Sequence, residues 1–434
     1  MTDFAFPDPA AWGPTTSGHH HVPWGRRFLL LFAAVGIGLL VAGGTTALLL
    51  FQQFQRNLTR VEVTGLSESV TGAPLHVLVA GSDARDGMTP ADVQRLNLGR
   101  FGGERSDTVM LVTVTADRKG VNVVSFPRDL RVDDDGTIRK LTETFAFGGP
   151  DNLVQTVRDN FGIEVNHYAQ IGILGFVNAV DTLGSVEICL EENLFDRKSG
   201  ASFAAGCHDM DGAAALSYVR SRSGAGSDFS RIDRQQNFLR SVLRELVTRQ
   251  VLLDVPKLFQ LVEDLASQVT TDDSLGLNEM LRLAEQLRGL ANGEVPMTNV
   301  PGYVQTVDGK SFVIAYGPGT RSLFSQLQRG ELLAPRGSRT ERNEVNVATW
   351  SGGHAEGRRI VISTLQWAGY NVSSAGEGPF DIGETTTVFI VPGHEREAEW
   401  VGAMLGAPVQ RLPVNATPPA GAEVVVAVGL DAVS

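Results

Sequence analysis

Four arginines crowd the stretch between Arg220 and Gln236. Arg220 and Arg222 stand in Tyr218-Val219-Arg220-Ser221-Arg222, and Arg231 and Arg234 precede the pair Gln235-Gln236, with Asp228 nearby. A guanidinium group stays charged and offers a planar fork of donors that matches phosphate oxygens. The whole chain has a formal net charge of -12, so this basic cluster is local. It points to a small phosphorylated ligand and not to a polynucleotide. Three further segments put acids beside arginines where an apolar run meets a loop: Gly81-Ser82-Asp83-Ala84-Arg85, Glu104-Arg105-Ser106-Asp107-Thr108 and Phe126-Pro127-Arg128-Asp129. Each alone reads as an ordinary surface ion pair; together with the arginine cluster they read as one site. Asp83 and Asp107 suit a single Mg²⁺ (or Mn²⁺), an ion that takes few carboxylates and completes its shell with water and phosphate oxygens.

Elements must bring these segments together. Leu75 to Ala80 is an apolar run bounded by Gly81, and Val109 to Val114 and Val121 to Phe126 are β-rich runs parted by a turn at Asp117 to Gly120, which predicts three strands. Asn152 to Phe161 predicts a helix with Val154, Val157 and Phe161 on one face. Phe238, Val242 and Leu246 recur every four residues, Pro256 breaks that zone, and amphipathic patterns return at Lys257 to Gln268 and Leu277 to Leu290. Arg220 and Arg222 alternate as on a strand, and Arg231 shares a helical face with Gln235. Strands alternating with helices predict an α/β fold, a central mixed sheet sandwiched by helices. In such folds ligands sit where strands end.

The chain of 434 residues has room for two or three domains, and 42% hydrophobic with 20% charged residues is ordinary globular composition. Residues 1–27 read as a cytoplasmic disordered tail, whose His19-His20-His21 suit weak metal binding or an added tag. Phe28 to Phe51 holds no charged residue and follows Arg26-Arg27, which predicts a membrane-spanning helix with its N-terminus in the cytoplasm; a cleaved signal peptide is the competing reading. Residues 52–74 read as a stalk, 75–333 as the catalytic domain, 334–342 as a Pro-, Gly-, Ser- and Arg-rich linker, and 343–434 as a small α/β domain without clustered chemistry. The two cysteines, Cys189 and Cys207, both lie after the apolar stretch. In an oxidising compartment they suit a disulfide closing the Glu191 to Gly206 loop; two unpaired buried thiols are the alternative.

The order of these motifs resembles the LytR–CpsA–Psr (LCP) family of cell-wall glycopolymer transferases. The matching series is Gly81 to Arg85, Arg105 to Thr108, Pro127-Arg128-Asp129, Lys140-Leu141 with Phe147-Gly148-Gly149-Pro150, Val180 to Gly184, Asp211-Gly212, Tyr218 to Arg222 and Asp228 to Gln236. The tail from Asn343 resembles the small C-terminal domain that often follows in actinobacterial-type members. Gly184-Ser185 stands in place of the usual glycine pair, Thr142 where asparagine is common, and Asp86 to Glu104 makes a long loop.

The resemblance implies a single-pass membrane protein whose extracytoplasmic domain holds a polyprenyl-pyrophosphate-linked glycan and moves the glycan with one phosphate to peptidoglycan. By motif position, Asp83 and Asp107 match the magnesium ligands. Arg85, Arg128, Arg220, Arg222, Arg231 and Gln235 match the pyrophosphate-binding set, with Lys140 a further candidate. Phosphoryl transfer depends on alignment and charge neutralisation, and Arg128 is the leading contact for developing charge. Asp129 and Asp228 are both candidates to accept the hydroxyl proton or to orient arginines. Ile171, Ile173, Leu174, Phe176, Val177 and the Phe238–Leu246 face would line a lipid cavity or serve as core. Water as acceptor would make the protein a pyrophosphatase, and a non-catalytic lipid- or wall-binding scaffold is the other class. An acidic chain without a DNA-reading motif argues against a transcriptional regulator.

Overall fold

The structure is a computed structural model. It describes residues 59–83, 85, 87–99, 106–223, 227–248, 269–276, 295–334 and 336–433, excepting the side chains of 106, 107, 227–230, 246–248 and 339. The apolar stretch 28–51, the histidine run and the two amphipathic patterns at 257–268 and 277–290 fall outside these residues. Among the described residues no helix is long and apolar enough to cross a membrane.

The main sheet has seven strands: β1 (Thr59–Val61), β2 (Leu75–Ser82), β3 (Ser106–Val114), β4 (Val121–Phe126), β7 (His167–Ile171), β12 (Val269–Asp272) and β13 (Met297–Asn299). Their order is β1-β12-β7-β2-β3-β4-β13. It is a mixed sheet. β2 runs parallel to β7 and antiparallel to β3, β3 is antiparallel to β4, and β4 is parallel to β13. The ends of β2, β4, β7 and β13 therefore share one edge with the start of β3. β4 is buried at every position, its polar Asn122 and Ser125 hydrogen-bonded to the Glu331 carbonyl and to Gln236, as suits a strand between two covered faces.

One face is covered by helices α2 (Leu141–Phe161) and α6 (Gly317–Gln328). Val154 and Val157 of the first and Leu323 and Leu327 of the second pack on Leu78, Leu111 and Val124. The rings of Phe126, Phe161 and Phe324 stack between them, with centroids 4.9–6.0 Å apart. α2 is two helices joined at a kink, where Gly149 has φ 64° and ψ −153° ahead of Pro150. That backbone is open to glycine and the proline cannot donate to the helix before it. β5 (Arg131–Asp134) and β6 (Thr137–Lys140) form the hairpin that leads into α2.

A second layer carries α1 (Pro90–Arg95), α3 (Ile173–Leu183), α4 (Gly212–Arg220) and α5 (Ser227–Thr248), with two small antiparallel pairs: β8 (Val186–Leu190) with β11 (Gly206–Met210), and β9 (Leu194–Asp196) with β10 (Ala201–Phe203). The sulfurs of Cys189 and Cys207 are bonded across β8 and β11. The Glu191–Gly206 loop that they close is itself a hairpin. The expected strand through Arg220 and Arg222 is absent: Arg220 is the last residue of α4. Asp211 starts that helix by accepting from the Ala214 amide, and Ser221 ends it with extended backbone. A run of three alanines after the cap outweighs a two-residue alternation. Gly212 is held close, because a Cβ there would lie 2.4 Å from the Val177 carbonyl oxygen. Its amide donates to Asp181 at 2.7 Å, so the Val180–Gly184 and Asp211-Gly212 motifs meet as one helix-packing joint.

The C-terminal unit is a five-stranded sheet, β17-β16-β20-β18-β19, formed by β16 (Asn346–Ser351), β17 (Asn371–Glu377), β18 (Thr387–Ile390), β19 (Val409–Arg411) and β20 (Val424–Val428). α8 (Ala355–Trp367) and α9 (Glu395–Leu405) pack against it. The hairpin of β14 (Gly302–Val307) and β15 (Lys310–Ala315) reaches into the same core through Tyr303 and, just beyond it, Tyr316. The 334–342 stretch, expected as a linker, is structured. α7 (Arg339–Glu344) begins inside it, and Arg336 and Arg342 are buried. Arg342 donates to the carbonyls of Ala368, Gly337 and Arg336, and Arg336 donates to Thr298. Three carbonyl acceptors solvate a guanidinium that has left water.

Candidate functional site at the shared strand edge

Asp83 directly follows β2, and Asp107 lies in the first turn of β3. In the β2–β3 ladder Gly81 pairs with Thr108 and Ser82 with Ser106, so Asp107 is the extra residue of a bulge. A bulge bends the strand and re-aims a side chain. Gly81 suits this contact, since a Cβ there would meet that of Thr108 at 3.1 Å. The two aspartates thus occupy neighbouring positions on one strand edge. The side chain of Asp107 lies outside the described residues, as does that of Asp228. Among the described residues no group of three His, Cys, Asp or Glu is placed to hold a metal. A two-carboxylate site that takes its other ligands from water and phosphate fits Mg²⁺ chemistry and needs no such trio.

Helix α5 is fastened to this edge by its paired glutamines. Gln235 donates to the Thr108 hydroxyl at 2.9 Å. Gln236, buried, donates to Asn299 at 2.8 Å, to the Thr298 carbonyl at 3.2 Å and to the Ser125 hydroxyl at 3.3 Å. One helical turn therefore touches β3, β4 and β13. Arg231 sits a turn earlier and is only 4% exposed. Arg234 donates to the carbonyls of Ser221 and Ser223, and so ties α5 back to the exit of α4.

At the end of β4, Asp129 bridges two cations: Lys140 Nζ approaches one carboxylate oxygen at 2.9 Å and Arg128 Nε the other at 3.3 Å. This is the geometry of an orienting group. Thr142 donates both its amide and its hydroxyl to the Arg128 carbonyl, so the family departure at this position still serves to hold the Arg128 backbone. Arg220 donates to the Leu96 carbonyl at 3.3 Å. Leu96 and Leu98 are buried against Ile173, Val177 and Leu216. The long 86–104 stretch is therefore in part a docked segment, and its helix α1 begins at a capping box of Thr89 and Asp92. Ile173, Val177 and Phe238 are packed core, with the rings of Phe176 and Phe238 5.0 Å apart.

Sequence reasoning passed over Asp196. Its carboxylate accepts the Arg222 amide at 2.7 Å and so fixes the segment after α4. Burial raises its pKa, but the amides of Arg222 and Lys198 outweigh burial and hold it below the ordinary carboxylate range. The signal was a turn motif, Asp196-Arg197-Lys198-Ser199-Gly200, far in sequence from what it supports. Thr108 and Gln236 stand inside the quoted motifs but carry no role of their own in the sequence, since neither is charged. Among the candidates, hydrogen bonds and ion pairs bring Gln235 to the Asp107 edge, join Arg128, Asp129 and Lys140, and anchor Arg220 and Arg222 to the surrounding loops. Cys189 and Cys207 lie on the separate β8–β11 pair.

Residues 52–329 match the LytR_cpsA_psr family. A probable cell wall biosynthesis protein, LcpB of Corynebacterium glutamicum, is 32% identical over 295 residues, covering 67% of this chain and 70% of that protein. The polyisoprenyl-teichoic acid–peptidoglycan teichoic acid transferase TagU of Enterococcus faecalis is 29% identical over 242 residues, covering 55% of this chain and 74% of that protein. The solved LytR-Csp2A-Psr enzyme of Actinomyces oris shares the fold, with a TM-score of 0.52 at 24% identity over 62% of this chain and 96% of that one. With the family match extending over residues 52–329, most of the chain, this protein belongs to the LytR–CpsA–Psr family.

Proposed function

We propose that the chain is an extracytoplasmic transferase. It takes a glycopolymer from a polyprenyl-pyrophosphate carrier and attaches it, with one phosphate, to a hydroxyl of peptidoglycan. The observation that carries this reading is the contact of Gln235 with Thr108. That bond sets the arginine-bearing turn of α5 beside the edge where Asp83 follows β2 and Asp107 is the second residue of β3. Relatives named for teichoic acid transfer to peptidoglycan support the reaction class.

In this reading Arg85, Arg128, Arg220, Arg222 and Arg231 offer guanidinium forks to the diphosphate oxygens. The acceptor hydroxyl oxygen attacks the phosphorus that bears the glycan, its proton passes to Asp228 or to solvent, and the bond to the departing polyprenyl phosphate breaks. Asp129 holds Arg128 and Lys140 in register for the charge that develops on that leaving group. Asp83 and Asp107 would hold a Mg²⁺, which when bound neutralises phosphate charge. The uncharged run 28–51 after Arg26-Arg27 supports a single-pass anchor with the catalytic domain outside. The Cys189–Cys207 bond suits that oxidising location.

The test is transfer from a synthetic polyprenyl-diphosphate glycan to peptidoglycan fragments, followed by mass spectrometry. A product that carries glycan plus one phosphate, lost with chelator and reduced about 10²-fold or more in Arg128→Ala, supports the reading. Release of glycan phosphate into water at the same rate with and without acceptor would replace it with a pyrophosphatase. Undiminished transfer by Arg128→Ala would remove that residue from the mechanism.

A further inference from the structure

At the opposite edge of the main sheet, where β7 starts and β12 ends, a second constellation stands. Ser69 Oγ lies 3.3 Å from His167 Nε2. The other ring nitrogen, Nδ1, lies 3.3 Å from Asp272 Oδ2. Asp272 is 1% exposed at its side chain and His167 is 5% exposed, while Ser69 is exposed. All three line a cavity of about 620 Å³. The residues come from three separate elements: the 62–74 segment, β7 and β12.

The acceptor-only carboxylate dictates the tautomer. Ser274 Oγ also lies 3.2 Å from Nδ1 and gives its own proton to Asp272, so Nδ1–H faces two acceptors, the Ser274 oxygen and Asp272, and the Nε2 lone pair faces the Ser69 hydroxyl. Asp272 is itself fixed by the amides of Tyr168, Ser274 and Leu275 and by the Ser274 hydroxyl. The chain on the N-terminal side of Ser69 is fixed by Asn166, whose side-chain amide donates to the Ser67 and Glu68 carbonyls. A nucleophile within reach of a base, with the base oriented by a third group, is the arrangement that activates a serine.

We propose that Ser69, His167 and Asp272 form a serine-nucleophile site, separate from the phosphoryl-transfer edge, that cleaves acyl esters. The Ser69 Oγ–H proton passes to His167 Nε2 as Oγ bonds the acyl carbon. The ester C–O bond then breaks, and the alcohol leaves with that proton. Water repeats the sequence and returns the acid and the free serine. Glu62, Glu68 and Asp273 ring the cavity and Val63 and Leu66 supply an apolar wall. Anionic acyl groups are disfavoured by that rim, so the substrate class is an ester of a neutral or cationic acyl group.

The test uses the purified full chain, an alkyl fluorophosphonate probe and p-nitrophenyl acetate. Ser69 is expected to take the probe, located by peptide mass spectrometry, and Ser69→Ala is expected to lose both labelling and at least 10-fold of acetate hydrolysis. His167→Gln should lower labelling similarly. Because His167 is buried, the exposed Ser69→Ala variant with an unchanged melting temperature is the decisive one. Ser69→Ala should also leave glycan transfer unchanged, which separates this site from the proposed transferase. Absence of Ser69 labelling in the folded chain, or acetate hydrolysis retained in Ser69→Ala, overturns the proposal and leaves the three residues as a structural network.

Discussion

Gln235 on α5 donates to the hydroxyl of Thr108 on β3, and Gln236, one residue on, reaches β4 and β13. Adjacent residues on a helix point about 100° apart, so the pair grips two positions of the sheet edge at once. Replacing Gln236 by Leu would leave the buried Thr298 carbonyl and the half-buried Asn299 side chain without this donor. The expected cost is about 1–3 kcal/mol, read as a lower melting temperature. Gln235→Ala, in a less buried position, should cost less stability and more transfer activity. Equal melting temperatures for Gln236→Leu and the parent protein would refute the first expectation.

Asp272 gives a pH-dependent expectation. Burial raises its pKa, but hydrogen bonds from His167, Ser274 and the Tyr168 amide win and set it at about 2. A carboxyl whose folded pKa is depressed stabilises the fold above its unfolded value, near 4, and loses that contribution as pH falls through the folded value. The contribution is about 2 kcal/mol. Chemical denaturation at several pH values should show Asp272→Asn less stable than the parent protein near pH 7. The gap should close between about pH 4 and pH 2; a gap independent of pH there would contradict the assignment.

Reduction of the Cys189–Cys207 bond frees a loop of sequence separation 18. Loops of that size give about 3 kcal/mol of stabilisation by the chain-entropy account. The double variant Cys189→Ser with Cys207→Ser should therefore melt lower than the oxidised protein and become insensitive to dithiothreitol. An identical melting temperature with and without reductant in the parent protein would show the bond to be thermodynamically idle.

Arg342 is the fastening of the C-terminal unit. Its guanidinium serves the Ala368, Gly337 and Arg336 carbonyls and lies 3.9 Å from Asp233 of α5. Arg342→Ala should cost about 1–3 kcal/mol through buried acceptors left without donors. Hydrogen exchange should rise first in α7 and at the start of β16. Exchange unchanged in both would place the fastening elsewhere.

Much of this architecture was legible in the residues. Apolar- and β-rich runs such as Leu75–Ala80 and Val121–Phe126 announce strands, and β2 and β4 lie there. The arginines and aspartates of the candidate site were legible because acid–arginine pairs recur at three strand–loop junctions alongside the Arg220–Arg234 cluster. What escaped had weak or distributed signals. β17, sequence Asn-Val-Ser-Ser-Ala-Gly-Glu, is an edge strand with little buried surface, so it has no apolar alternation to read. β1 is three residues long and hides in what looks like a stalk. Thr108, Asp196 and Gln236 act through hydrogen bonds to partners 26 to 127 residues away, and only the fold makes such pairs neighbours. The Ser69–His167–Asp272 group spans an even wider separation, with no local motif to mark it.

Tyr303 and Tyr316, which lie within the family-matched region, are buried in the core of the C-terminal sheet. Close to them Gly319 abuts the Met404 carbonyl, where a Cβ would stand at 2.3 Å. Cutting the chain after residue 329 would strip these aromatic rings of their cover and expose a sticky apolar wall. The shortest piece able to stand alone in solution is therefore expected to extend past the family-matched part to the last strand, and shortened versions should clump before they reveal any loss of chemistry.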